Sequence, residues 1–199
     1  STCCHVLKGP ELHVSCENLT GRTAEIVAGF IKERALQKSL FHREVGAPSM
    51  DKDIEYMQIA LEEARQAAAE GEIPVGAVLV VGDKIVAQAH NQRETCQDAT
   101  AHAELLVIQK ACARLKRWRL NDATLYVTLE PCPMCAGAIF NARLERLVYG
   151  AVDSRAGACE SVFNVVTNRH LNHQVKVTAG ILAEECGKIL QDFLRNKRS

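Results

Sequence analysis

Two short segments of the chain combine side-chain types that suit metal-dependent chemistry. One reads TAHAE at residues 100–104, and the other reads EPCPMC at residues 130–135. Zinc in proteins is bound by thiolate sulfur and imidazole nitrogen in a tetrahedron, and a catalytic zinc keeps its fourth position open for water. The two segments therefore predict one zinc ion held by His102, Cys132 and Cys135.

The second segment also predicts why its cysteines would be available as ligands. Cys132 and Cys135 lie on either side of Pro133, where a helix is expected to begin, and proline suits the first helical position because its missing N–H is not needed there. The N-terminus of a helix favours negative charge, which lowers the pKa of nearby thiols and favours the thiolate form.

Glu104 follows His102 by two residues and is expected to reach the zinc-bound water rather than the metal. There it would act as a proton shuttle, taking a proton from water and delivering protons to the substrate and the leaving group. Cys-x-x-Cys alone would also suit a redox dithiol or a structural zinc site, but neither has a use for Glu104. His-x-Glu followed by Pro-Cys-x-x-Cys is the signature of zinc-dependent nucleobase deaminases.

Composition restricts the class of protein further. The 199 residues carry 24 basic and 24 acidic side chains, so the formal net charge is zero and any contact with nucleic acid must come from a local patch. Nine cysteines without a secretory signal predict reduced thiols in a cytoplasmic protein. No apolar stretch is long enough to cross a bilayer, so no membrane association is expected.

The distribution of methionine and of chain breakers predicts two parts. Residues 1–49 contain no methionine and end in a Gly-Ala-Pro-Ser break, so they are expected to form an N-terminal extension, native or fused, without a role that the sequence reveals. Apolar spacing favours one helix over 23–40. The extension also holds metal-ligand types, but their irregular spacing disfavours a second zinc site; these residues are Cys3, Cys4, His5, His13 and Cys16. Residues 50–199 are expected to be a zinc-dependent domain.

Periodicity predicts the elements that would position the ligands. A helix capped by Asp51 or Asp53 should run to about Glu70 and stop at Gly71, followed by a hairpin that turns at residues 82–83. Further helices are predicted at about 102–115, 133–141 and 183–195, with strands at 124–129, 147–149 and 174–178. Strands alternating with helices after a hairpin indicate an α/β layered sandwich with a mixed central sheet.

From Met50 to the C-terminus, the chain resembles the bacterial-type tRNA-specific adenosine deaminases of the cytidine deaminase-like superfamily. The resemblance rests on the two segments above and on GEIPVGA at 71–77, YGAVD at 149–153 and GILAEEC at 180–186. It implies a cytidine deaminase-like α/β/α sandwich, a homodimer and hydrolysis of the wobble adenosine of a tRNA anticodon to inosine. It further implies that Asn91 bonds the flipped base, that the Ala103 backbone lines the pocket, and that Asp153 contacts a neighbouring ribose.

Basic residues give partial support for an RNA partner. At and just after the end of the predicted C-terminal helix stand Phe193, Arg195, Lys197 and Arg198, where a base could stack beside cations, and the resemblance favours RNA contact there. A second basic stretch, 110–119, is interpreted as a solvated helix face. Two other functions stay open: a deaminase of free nucleobases or nucleosides of the guanine or cytosine type, and a non-catalytic, zinc-stabilised RNA-binding module.

Overall fold

Residues 49–197, which are the part of the chain that the computed structural model describes, form one sheet with helices on both faces. The helices are α1 Met50–Ala69, α2 Arg93–Cys96, α3 Ala103–Leu115, α4 Pro133–Asn141 and α5 Ala183–Asn196. The strands are β1 Gly76–Val81, β2 Lys84–His90, β3 Ala123–Leu129, β4 Arg146–Ala151 and β5 Lys176–Ala179. The predicted helix over 23–40, the Cys/His group of the N-terminal extension and Arg198 lie outside the described residues.

The sheet is mixed, as predicted, with the strand order β2-β1-β3-β4-β5. β1 pairs antiparallel with β2 and with β3, while β3–β4 and β4–β5 are parallel. The hairpin turns at Gly82 and Asp83, with Val81 opposite Lys84. The expected α/β/α sandwich with a mixed central sheet is therefore confirmed.

Alternate residues of the strands face two separate hydrophobic cores. Ala77 and Leu79 of β1 belong to the core that α3 and α4 cover, whereas Val78 and Val80 belong to the core beneath α1 and α5. Because successive side chains of a strand point to opposite faces, β1, β3 and β4 contribute to both cores. Both faces of the central strands are buried, which explains their nearly continuous apolar sequences.

Gly76 allows α1 to approach β1 unusually closely. A Cβ atom at this position would lie 2.0 Å from the Ala60 carbonyl oxygen and 2.5 Å from the Ala64 backbone nitrogen. Gly71, just after the end of α1, has a φ of 81°, a left-handed conformation that glycine adopts without strain. Gly71 thus allows the chain to turn at the end of α1, and Gly76 allows α1 to pack closely against the sheet.

The predicted cap of α1 was wrong. Ser49 precedes the helix and makes no side-chain cap bond, and Asp53 lies inside the first turn with only 4% of its surface exposed. Its carboxylate accepts hydrogen bonds from the Arg146 guanidinium at 2.8 and 2.7 Å and from the Tyr126 hydroxyl at 2.9 Å. An aspartate near the start of a helix is typical of a cap. The local sequence does not reveal the true partners of Asp53, because they are 73 and 93 residues away.

Two cations of the basic stretch 110–119 bind the outer edge of the sheet. Lys110 Nζ donates to the Gln88 carbonyl at 3.2 Å, and the Arg114 guanidinium donates to the Val86 carbonyl at 2.9 Å. Exposed strand edges leave carbonyl groups unpaired, and these two side chains satisfy a pair of them on β2. The interpretation of this stretch as a solvated helix face was therefore incomplete.

Among the described residues, no helix is both long and apolar enough to span a membrane.

Candidate active site

The structure brings His102, Cys132 and Cys135 together as a group of donor atoms that all lie within 4.8 Å of one another. His102 Nδ1 is 3.8 Å from Cys132 Sγ and 3.5 Å from Cys135 Sγ. A tetrahedral zinc ion with ordinary bond lengths holds a nitrogen and a sulfur roughly 3.6 Å apart. The spacing and the chemistry of these donors therefore fit zinc.

Helix starts position all three donors. His102 is the residue before α3, and Cys132 is the residue before α4, whose first residue is Pro133. Cys135 lies one turn further on and is completely buried. α3 and α4 pack against each other on the same face of the sheet, so the two helix starts converge. The donors are thereby held by two rigid elements rather than by a loose loop.

Hydrogen bonds among the donors favour one negative sulfur. The Cys135 thiol donates to Cys132, and with His102 this bond lowers the pKa of Cys132 to about 4 although burial opposes it. Correspondingly, the bond to Cys132, together with burial and the neighbouring Glu104, raises the pKa of Cys135. Bonding to Cys132 also raises the pKa of His102. The Cys132 sulfur is therefore held in the thiolate form that a zinc ligand requires.

Glu104 lies in the first turn of α3 with 4% of its surface exposed. Burial raises the pKa of its carboxyl group, and the helix backbone and His102 oppose this effect only in part. The carboxyl group is within hydrogen-bonding contact of Cys135. A carboxyl group in such surroundings can exchange a proton with a molecule bound beside the three donors.

The three donors lie beside a cavity of about 200 Å³. This is smaller than the roughly 300–1,000 Å³ of typical sites for drug-sized molecules, so it suits a single heterocycle. Its lining includes five of the residues singled out from the sequence, Asn91, His102, Glu104, Cys132 and Asp153. Cys135 and Ala103 are buried behind this lining and do not belong to it themselves.

Sequence reasoning missed several residues of the cavity and one that supports it. Arg93 and Glu130 line the cavity together with four apolar residues, Ile73, Val75, Leu129 and Ala156. Glu72 is fully buried beside Asn91. Glu72 and Glu130 stand inside the segments GEIPVGA and EPCPMC, but their hydrogen-bond partners lie 19 to 31 residues away, so no local signal identifies them as buried acids.

Of the residues expected to contact RNA, Phe193 and Arg195 lie on α5 and Lys197 directly follows it, and none of these three lines the cavity. Lys197 Nζ lies 5.1 Å from the centre of the Phe193 ring, a cation–π arrangement. Arg195 lies 3.7 Å from an oxygen of Asp192. A contact with RNA at these residues would therefore be made outside the cavity.

Comparison with known proteins identifies the class of enzyme to which the chain belongs. Residues 50–198 match the MafB19-like deaminase family. The tRNA-specific adenosine deaminase of Bacillus subtilis is 51% identical over 149 residues, which are 75% of this chain and 92% of that protein. The chain therefore belongs to the family of tRNA-specific adenosine deaminases and is a hydrolytic deaminase.

Solved structures agree with this assignment. A structure from a study of A-to-I editing by tRNA:A34 deaminases at the wobble position of transfer RNA superposes with a TM-score of 0.66 and 45% identity, covering 68% of this chain and 99% of that one. Guanine deaminase from Nitrosomonas europaea superposes with a TM-score of 0.63 at 21% identity, covering 75% and 94% of the two chains, and shares the fold alone. The fold by itself therefore does not identify the substrate, since a guanine deaminase shares it. The relatives with higher sequence identity act on adenosine in tRNA.

Proposed function

We propose that the protein deaminates adenosine to inosine at the wobble position of a tRNA anticodon, with one zinc ion held by His102, Cys132 and Cys135. The observation that carries the proposal is the convergence of these three donors and Glu104 beside a cavity the size of one base. The reaction consumes water and releases ammonia. The similarity to a tRNA-specific adenosine deaminase and to a tRNA:A34 deaminase supports adenosine in tRNA as the substrate.

The cavity implies that the target nucleotide leaves the stack of the anticodon loop. Enzymes that act on a base in a nucleic acid turn it outward into a pocket, and this is least costly for bases that are already single-stranded. An anticodon loop presents such bases. The small volume and partly apolar lining of the cavity would bind the ring and exclude bulk water.

Zinc, when bound by the three donors, supplies Lewis-acid activation of a water molecule. Glu104 then moves the protons. Its carboxylate would take one proton from the water and deliver it to the ring nitrogen next to the carbon that bears the amine. It would then take the second proton from the hydroxyl group added to that carbon and deliver it to the amino group, which leaves as ammonia. The burial of Glu104 keeps these transfers away from solvent.

Three further residues would hold the substrate. Asn91, buried and on the cavity wall, is proposed to bond the base with its amide. The backbone N–H of Ala103 is the first of α3 and has no acceptor within the helix, so it can donate into the site. Asp153 lines the cavity, and its carboxylate accepts from the backbone N–H of Arg155 at 2.9 Å, which orients it for a neighbouring 2′-hydroxyl.

Contacts outside the cavity complete the proposal. The end of α5, with Phe193, Arg195, Lys197 and, beyond the described residues, Arg198, is proposed to contact the tRNA. Residues 50–199 would be the zinc-dependent deaminase domain and residues 1–49 an extension whose role stays open. A homodimer is proposed from the family resemblance, and a cytoplasmic location is proposed because the protein's substrate would be tRNA.

The test compares a tRNA anticodon stem-loop that has adenosine at the wobble position with free adenosine, cytidine and guanine. We expect inosine in the stem-loop and no ammonia from the small molecules. Ammonia from the small molecules alone would favour a deaminase of free nucleobases or nucleosides. Binding of the stem-loop with zinc bound but no conversion of any substrate would favour the non-catalytic RNA-binding module.

A further inference from the structure

Glu72 is a fully buried carboxylate between α1 and β1 that the proposed reaction does not use. One of its oxygens, Oε2, accepts a hydrogen bond from Asn91 Nδ2 at 3.1 Å. The other, Oε1, accepts from the backbone N–H of Thr95 at 2.7 Å. A single carboxylate thus joins the end of β2 to α2, immediately beside the cavity.

The surroundings of Glu72 keep it ionised. Burial raises the pKa of a carboxyl group, but donors from Thr95, Glu94 and Asn91 together outweigh burial and hold the pKa of Glu72 below its ordinary value. An ionised carboxylate only accepts hydrogen bonds and cannot donate one. Whatever group faces it must therefore present hydrogen atoms.

This requirement fixes the side chain of Asn91. An asparagine amide has an oxygen on one side and an NH₂ group on the other, and rotation by 180° exchanges them. With the oxygen towards Glu72, two acceptors would face each other in a buried place; with the NH₂ group towards Glu72, a bond forms. The amide oxygen and the second N–H are then left in one defined arrangement for a ligand in the cavity.

We infer that Glu72 is a positioning residue that sets the amide orientation of Asn91 and thereby the recognition of the base. The inference rests on the proposed function, because it concerns how the base is bound. The bond from the Thr95 N–H holds the Glu72 carboxylate itself in place against α2. Glu72 touches neither the three metal donors nor the reacting atoms.

The test is Glu72→Gln, which keeps the size of the side chain but turns one oxygen into an NH₂ group. That NH₂ group must face either the Thr95 N–H or the Asn91 NH₂ group. Two hydrogen-bond donors then face each other, and one of the two hydrogen bonds of Glu72 is lost. We expect kcat/KM for the anticodon stem-loop to fall about tenfold, mainly through KM, with zinc content unchanged, since a lost ground-state contact appears in KM. Glu62→Gln, on the exposed face of α1, is the matched control and should behave as the wild type.

A double-mutant cycle separates positioning from a general structural role. If Glu72 acts through Asn91, Glu72→Gln should change kcat/KM less than about twofold in an Asn91→Ala background. A loss of equal size in both backgrounds, or a Glu72→Gln variant that behaves like Glu62→Gln, would overturn the inference.

A measurement on the unmodified protein covers the case in which Glu72→Gln does not fold. In NMR spectra, the side-chain NH₂ signals of Asn91, assigned through their loss in Asn91→Asp, should show one proton protected from exchange with solvent. Two equally exchanging protons would overturn the inference. Absence of inosine formation by the wild type would instead contradict the proposed function, while the NMR measurement would still test the amide orientation.

Discussion

Gly157 lies directly against the carboxylate of Glu130, so that a Cβ atom at residue 157 would be 2.3 Å from Glu130 Oε2. Glu130, with 2% of its surface exposed, accepts hydrogen bonds from backbone N–H groups of the segment 153–161 that folds around it. These donors are Asp153, Cys159, Glu160 and Ser161, at 2.9–3.1 Å. The carboxylate two residues before Cys132 thus orders the segment that carries Asp153.

We expect Gly157→Ala to disturb this segment. The added methyl group overlaps the carboxylate of Glu130, so either Glu130 or the chain at 153–161 must move, at a cost of about 1–3 kcal/mol in the free energy of unfolding. Because Asp153 and Ala156 line the cavity, kcat/KM for the stem-loop should fall as well. Urea unfolding and inosine assays measure the two effects.

Gly187→Ala is the matched control for this substitution. Gly187 lies within α5, and its added Cβ would meet only the Cβ of Ala151, at 3.9 Å. Alanine in a helix interior is favoured over glycine by about 0.5–1 kcal/mol, so the control should be as stable as the wild type or more so. Equal destabilisation by both substitutions would contradict the role assigned to the contact between Gly157 and Glu130.

Glu104→Gln should separate metal binding from catalysis. The amide has nearly the shape of the carboxylate but cannot take up and release a proton in its place, so the rate of inosine formation should fall by about 10²–10⁴-fold. Zinc content and stem-loop affinity should stay near those of the wild type, because Glu104 is not among the metal donors. Full activity in this variant would remove Glu104 from the mechanism.

Cys135→Ser should weaken the metal site. A hydroxyl group is a far poorer zinc ligand than a thiolate, and only two donors of the original type would be left. We expect less than one zinc per chain by elemental analysis and a matching loss of activity that added zinc does not restore. After treatment with a chelator, the wild type should recover when zinc is added.

Cys96→Ser provides the comparison for the metal site, since Cys96 is an exposed free cysteine outside the group of donors. This variant should retain zinc and activity. If Cys96→Ser and Cys135→Ser lost zinc equally, the assignment of the three donors would be wrong.

The sequence predicted most of the fold because its local patterns and its tertiary contacts agree. The hairpin around Gly82 and the helix starts at His102 and Cys132 follow from turn residues and apolar spacing, and the structure has them where they were expected. The short helix α2 was missed, since four residues with no buried side chain leave no periodic signal.

The supporting carboxylates could not be predicted from local pattern. Glu72 and Glu130 act through partners 19 to 31 residues away, and nothing in their immediate neighbours distinguishes a buried acid from an exposed one. Asp53 is the clearest case, because its place in a first helical turn favours a surface cap while its partners lie on β3 and β4. Burial of an acid is decided by those distant partners.

Asp53 should therefore matter for stability rather than for catalysis. Its side chain and that of Arg146 are 5% and 12% exposed, and Asp53→Ala would leave the buried guanidinium and the Tyr126 hydroxyl without this acceptor. Removing one partner of a buried ion pair costs about 3–5 kcal/mol, which urea unfolding would measure. Asp51→Ala, on the exposed start of α1, should change stability by less than about 0.5 kcal/mol. Because the pair lies on the α1 face of the sheet and touches none of the cavity residues, kcat/KM per folded molecule should be unchanged; a selective loss of activity would contradict this separation.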